Sequence, residues 1–305
     1  MEQPPVSHAS ALERCVARLP WDEVPRSAAL ATTAVAEWLY GEYFIAWQPT
    51  PRHAYSGSTW FVAELNARCE GPTTFEPGFR VTSRAAGGAF VQNAAMFLWV
   101  PHTRGLRPAN ARAGAEVAVE MPCARESALP GFFTIVSRVG HPDSAAPHLK
   151  FYVNATPEGA LALLQGLLVT PSLRTACFGA KVTNDPAQFG RRDTLLVYVT
   201  PKDAPRVADY LLAFGRRRPR ELLEQTPPMT VPLARGVSIA ESPRHHAESF
   251  GAHRCRLIAE GLLTSRAEGT PRLRTISERF ERAGLDWEAP WFGVLPRGWL
   301  GRLTS

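Results

Sequence analysis

Residues 149–154 read LKFYVN, residues 178–184 read FGAKVTN, and residues 189–200 read FGRRDTLLVYVT. Each has the alternation of apolar and polar side chains expected of a β-strand, with breaks supplied by Pro157, the loop DPAQFGRR and Pro201. Side chains two positions apart share a face of a strand, so Lys150, Tyr152 and Asn154 are expected to point the same way. Lys181 is expected on a nearby strand. Arg191, Arg192 and Asp193 stand at the start of a third strand, with Tyr198 further along it. The bland alternative is a polar sheet face turned to solvent. Against it stands scarcity: the chain has only three lysines, Lys150, Lys181 and Lys202, and two of them fall in these strands.

Working outward, GFFTIVSRVG (131–140) reads as a further strand, with Arg138 near its end, and GALALLQGLL (159–168) as a helix. A helix is expected near Arg206 to Leu223, followed by a late helical region through LIAEGLL and a last helix in PRLRTISERFERAGL. In the first half, Ser10 is expected to cap a helix through Arg18. Ser27 precedes a longer helical pattern ended by Pro49 and Pro51, and WFVAELNARC reads as another helix. FRVTSR, GAFVQN, MFLWV and Glu116 to Met121 read as short strands. The terminal PWFGVLPRGWLG is expected to pack as a lid or a tail. This pattern predicts an α+β fold of mostly antiparallel sheet flanked by helices. A weak boundary at 128/129 divides an N-terminal helical and short-strand region from the remainder, with one compact domain as the alternative.

The 305 residues are 45% hydrophobic and 20% charged, with a formal net charge of +6 carried by arginine. That is ordinary globular composition; the positive charge is either background or fits an anionic partner. Five scattered cysteines without metal-ligand spacing fit a reducing compartment. His245, His246 and His253 are too loosely spaced to predict a metal site, and His141, His148, His245 and His253 are expected to be structural or surface groups. MEQPPVSHAS lacks a basic start and an apolar run, and the apolar stretch at 85–100 is short of the ~20 residues a spanning helix needs. A cytoplasmic protein without membrane contact is therefore expected. No phosphate-loop, dinucleotide, nucleophile-elbow, zinc-protease or kinase motif is present, nor an aromatic-basic RNA signature, so nucleic acid is not an expected partner. The excess of cations at strand ends points to anion handling. The run GRRRPRE (215–221) fits a solvated helix end or a docking patch for an acidic peptide.

These blocks, with GFFTIVSRVG before them and GVSIAESPRHHAESFGAHRCRLIAEGL after, resemble the HopA-type effector family, first named in plant-pathogen type III secretion. Its actinobacterial relatives are the lyase components of class V lanthipeptide and thioamitide biosynthesis. The resemblance spans roughly Trp38 to Leu263. More distantly, Lys150-x-Tyr152 followed by Lys181 is similar to the phosphothreonine lyase effectors, which carry Lys-x-His and then a second lysine. It implies a phosphothreonine-lyase-like core that β-eliminates phosphate from phosphoserine or phosphothreonine, leaving dehydroalanine or dehydrobutyrine. It assigns Lys181 as base and Lys150 to phosphate. Tyr152 stands where that family has histidine, so either tyrosine is the acid or the acid is dispensable.

These residue types suit the reaction. Arg191, Arg192 and Arg254 offer planar forks for phosphate oxygens, with Arg254 otherwise a surface group. Asn154, Asp193, Tyr198 and Arg138 are supporting candidates: Asn154 to orient substrate backbone, Asp193 to position an arginine. No cofactor or metal is implied. The implied partners are a phosphorylated precursor peptide and a kinase-like protein. A non-catalytic phosphopeptide or protein binder and a lanthionine-type cyclase are the rival readings.

Overall fold

A computed structural model describes residues 8–47, 58–143, 146–243, 248–293 and 295–303. In chain order the elements are α1 (His8–Val16), α2 (Ala28–Leu39), a π-helical turn (Tyr40–Ile45) and α3 (Thr59–Cys69). Seven strands follow: β1 (Thr73–Ala85), β2 (Gly88–Gln92), β3 (Phe97–Val100), β4 (Leu106–Arg107), β5 (Glu116–Pro122), β6 (Ala124–Leu129) and β7 (Phe132–Val136). Then come β8 (Leu149–Val153), α4 (Pro157–Val169), β9 (Phe178–Thr183), β10 (Leu195–Val199) and α5 (Ala204–Arg217). The chain ends with β11 (Val231–Ala234), β12 (Val237–Glu241), α6 (Phe250–Glu268) and α7 (Arg272–Arg282).

The strands form two sheets. One has the order β3-β2-β1-β5-β4, the other β11-β12-β8-β10-β9-β7-β6, and the pairings in both are antiparallel. The expected α+β class and antiparallel sheet are what the chain adopts.

The seven-stranded sheet is buried on both faces. Leu149, Phe151 and Val153 of β8 join Leu195, Val197 and Val199 of β10 in a core closed by α3, α4 and α5. Helix α4 is apolar on nearly every side, as a helix packed between other elements must be. It starts cleanly because Thr156 accepts a hydrogen bond from the Gly159 amide and Pro157 occupies the first turn. The opposite sheet face, carrying Tyr152, Leu196 and Ala240, packs on Phe44, Phe250, Cys255 and Ile258. Helices α1 and α2 bury Leu12, Val16, Val35 and Leu39 in this same second core, across the 128/129 boundary. The five-stranded sheet keeps a small core of its own around Phe79, Val81, Val91 and Val117.

Several local expectations change. Ser10 lies inside α1 rather than capping it. The helical pattern after Ser27 passes from α to π at Tyr40, and the prolines expected to end it lie outside the described residues. The helix expected near 206–223 ends at Arg217, because Pro219 cannot continue it. β6, β11 and β12 were not anticipated. The terminal tail packs in place: Phe292, Trp299 and Leu303 enter the first core, and the Glu241 carboxylate accepts the Gly293 and Leu295 amides at 2.9 and 3.1 Å.

Candidate active site

The pairing register assembles the site. Leu196 of β10 lies opposite Tyr152 on one side and Lys181 on the other, while Tyr198 lies opposite Lys150 and Gly179. Directly paired residues share a face. Lys150, Tyr152, Tyr198 and Lys181 therefore stand on one side of the sheet, the side covered by the π-helical turn and α6.

The cations are held by rings and by one carboxylate. The Lys150 Nζ lies 5.2 Å from the centre of the Tyr198 ring, and the Lys181 Nζ lies 4.3 Å from the centre of Phe132. The guanidinium of Arg191 lies 5.9 Å from that same Phe132 ring and 5.8 Å from Trp47. Arg191 makes a two-pronged ion pair with Asp193, Nε to Oδ1 and Nη2 to Oδ2, the latter at 3.0 Å. The Tyr40 hydroxyl also donates to Asp193 Oδ2, at 3.5 Å.

Burial sets the electrostatics. It lowers the pKa of Lys150 to about 8, with the charge of Lys181 pushing the same way. Lys181 is also lowered by burial; Asp193 opposes this and Arg191 reinforces it. Burial disfavours the charge on Arg191, but Asp193 outweighs it and keeps that guanidinium firmly cationic. Tyr40, Tyr152 and Tyr198 are all raised by burial and stay protonated at neutral pH. The result is two amines eased toward the neutral form beside a fixed guanidinium and three phenol donors.

The remaining sequence-derived candidates divide. Arg254 is 2% exposed, not a surface group. Its Nε donates to the Pro290 carbonyl at 2.8 Å, Nη1 sits 2.6 Å from His253 Nδ1, and the guanidinium stacks over Phe250. Burial brings its pKa down to about 10, partly offset by Tyr152 and Glu241. Arg192 is directed elsewhere: Nε and Nη2 donate to Gln225 Oε1 and Nη1 to the Tyr43 carbonyl. Asn154 joins that second cluster through its amide, 2.7 Å from the Gln225 carbonyl, while its own side-chain oxygen is buried without a hydrogen-bond partner. Arg138 sits exposed on the turn after β7, its charge acting on Cys123.

Four residues at the site escaped sequence reasoning as site residues: Tyr40, Phe132, His141 and His148. The two imidazoles flank Tyr198, with ring centres 6.0 and 6.1 Å away. His141 lies close against Gly179, where any Cβ would collide with the Cδ2–Nε2 edge of its ring. The glycine in FGAK was thus the available signal, since a strand glycine often marks a close approach. A groove of about 580 Å³ between α2 and the second half of α6 is lined by Trp21, Leu263 and Arg266 and shares no residue with the site.

Among the described residues no group of three histidine, cysteine or acidic side chains is placed to hold a metal, and His245 and His246 lie outside them. No helix of the described residues is long and apolar enough to cross a membrane.

No curated protein matches the chain. Solved structures share its fold, two effector proteins among them. The effector protein from Pseudomonas syringae pv. tomato strain DC3000 aligns with a TM-score of 0.55 at 12% identity, covering 94% of this chain and 97% of that one. The effector protein from Pseudomonas syringae pv. syringae strain 61 aligns with a TM-score of 0.53 at 13% identity, covering 96% and 100%. A sequence model of the HopA1 effector protein family matches residues 123–292, which hold the seven-stranded sheet, both lysines and Arg191. That match spans more than half of the chain, and the protein belongs to the HopA1 effector protein family.

Proposed function

We propose that the protein is a carbon–oxygen lyase that β-eliminates phosphate from phosphoserine or phosphothreonine in a ribosomally made precursor peptide, in lanthipeptide or thioamitide-type biosynthesis. The observation that carries this reading is the placement of a buried lysine, Lys150, and a half-buried one, Lys181, on one sheet face beside a carboxylate-fixed arginine.

β-Elimination needs a base for the Cα proton and a receiver for the departing phosphate. Neutral Lys181 takes the proton on Nζ. The C–H electron pair becomes the Cα=Cβ bond, and the Cβ–O bond breaks with its pair passing to phosphate. Arg191, which cannot deprotonate at working pH, and charged Lys150 hold the phosphate oxygens. Tyr198 and Tyr152, protonated and adjacent, are the candidate donors to the leaving oxygen. Tyr152 is the deeper of the two, packed against Phe44 and Phe250. The peptide would come phosphorylated from a kinase-like partner.

The test is incubation with synthetic phosphoserine and phosphothreonine peptides, with and without that kinase, followed by mass measurement and thiol trapping. Loss of the elements of phosphoric acid and gain of a thiol-reactive residue support the lyase. Phosphate retained on a tightly held peptide makes the protein a binder instead. Thiol addition to an already dehydrated peptide alone makes it a cyclase.

The position of Lys150 also has a pH signature. With a folded pKa near 8 against about 10.4 for a free lysine, its charge destabilises the fold fully below pH 8. The penalty fades as pH rises from there toward the unfolded value. Lys150→Met is expected to raise stability at pH 7 by on the order of 1–3 kcal/mol, read from the denaturation midpoint. It should also weaken phosphopeptide binding. Lys150→Arg keeps the charge, so the rise in KM expected above about pH 8 should vanish in that variant. An alkaline limb identical in both proteins would remove Lys150 from phosphate binding.

A further inference from the structure

The five-stranded sheet ends in a strand whose outer edge pairs with no other strand among the described residues. That strand is β3, and its outward side chains are Phe97, 60% exposed, and Trp99, 41% exposed. Phe90 on β2 completes the patch. Its ring stacks on Phe97 at 5.4 Å and packs on Trp99 at 4.7 Å. The alternate residues Leu98 and Val100 turn inward to the sheet's small core. A free strand edge beneath exposed aromatic rings is a surface natural sheets normally cover or charge.

The charge nearest to it is mainly positive. Residues 77–115 hold Arg80, Arg84, Arg104, Arg107 and Arg112 and no aspartate or glutamate. Arg80 stands in the same cross-strand row as Gln92 and Phe97 and is ion-paired with exposed Glu116 at 3.6 Å, while exposed Arg104 lies in the turn just after β3.

We propose that β3 is a docking edge for an extended acidic peptide, which adds to the sheet as a further antiparallel or parallel strand. Its apolar side chains would cover Phe90, Phe97 and Trp99, and its carboxylates would meet the arginines. Strand addition supplies main-chain hydrogen bonds at the edge and lets alternate side chains reach the patch. A second copy of this chain fits poorly, because an edge-to-edge dimer would bring the same arginines together. A single-stranded nucleic acid fits less well: Phe90 and Phe97 lie 15° from parallel and stack on each other, so one face of each ring is already taken. This surface lies outside the lysine site, and the proposal does not depend on the chemistry there.

The probe is a short labelled peptide of alternating Leu and Glu, titrated against the full chain by fluorescence anisotropy. Three controls accompany it: the Leu/Lys counterpart, a copy N-methylated at alternate backbone nitrogens, and oligouridine. The expected result is binding of the Leu/Glu peptide alone, weakened about tenfold or more by Phe97→Ser and by Arg104→Glu. Both variants change exposed side chains, so folding is retained, and far-UV circular dichroism checks it. Added salt should weaken the complex, and amide exchange should slow at residues 97–100. The proposal is overturned by equal binding of the N-methylated or Leu/Lys peptide, or by no binding of the Leu/Glu peptide. Tighter binding of oligouridine, or a dimer that Phe97→Ser dissolves, overturns it equally.

Discussion

Replacing Lys181 with alanine is expected to lower phosphate elimination by about 10²–10⁴-fold, the usual contribution of a positioned acid or base, while leaving phosphopeptide binding nearly intact. The amine lies beside Phe132, and burial lowers its pKa, so a neutral fraction is available without a separate activating base. Arg191 remains held by Asp193, and Lys150 keeps its place over Tyr198, so the phosphate cradle survives the truncation. Lys181→Arg should fail as completely as alanine, because a guanidinium does not deprotonate at working pH. Single-turnover mass measurement reads the rate, and anisotropy with a labelled phosphopeptide reads the binding. Added methylamine should restore part of the rate in Lys181→Ala, since the cavity left behind fits a small amine, and none in Lys181→Arg. Wild-type turnover by the alanine variant would take the base away from Lys181. Lost binding together with lost turnover would make it a phosphate ligand.

The central strands were legible because their chemistry alternates with the strand period. In LKFYV and LLVYV the residues facing α4 and α5 are uniformly apolar, and the polar ones fall between them. That alternation placed Lys150 and Tyr152 on one face before any pairing was known. The register was not legible. Nothing local says that Leu196 lies between Tyr152 and Lys181, a pairing fixed by burial on both faces of the sheet. β12 was missed because a strand buried throughout shows no alternation, and β6 because ARESAL is a polar edge strand.

The site divides along the same line. Arg191 and Arg192 are neighbours in the tight turn before β10, where their side chains diverge. One enters the site, and the other pins the π-helical turn through the Tyr43 carbonyl. Tyr40 reaches Asp193 only because the helix changes from α to π at that residue, a change the apolar pattern of 28–47 does not announce. For Arg254 the sequence left surface and site open. The answer came from the C-terminal segment, whose Pro290 carbonyl receives its Nε.

The second large effect is expected at Asp193. Its carboxylate is the counterion of Arg191, and both side chains are almost entirely buried. Removing it leaves a guanidinium in a low-dielectric site beside Lys181, an arrangement that typically costs about 3–5 kcal/mol. Asp193→Ala should therefore lower the stability measured by urea denaturation by that amount. Asp193→Asn, which keeps an acceptor of the same shape, should lose less. The chemistry should move as well. Asp193 is the group that favours the charged form of Lys181, so its loss drives that amine further toward the neutral base. In the fraction of Asp193→Asn that folds, the acid limb of the pH–rate profile should shift to lower pH even as the maximal rate falls with Arg191 misplaced. The double variant Arg191→Met/Asp193→Leu separates the two roles. Removing both charges together should recover most of the stability lost in Asp193→Ala, because apolar groups of similar volume replace a buried ion pair at little cost. Phosphate binding should not return with it. Recovery of both would mean that the pair serves only to hold β10 against the π-helical turn, and that the phosphate is received by Lys150 without it.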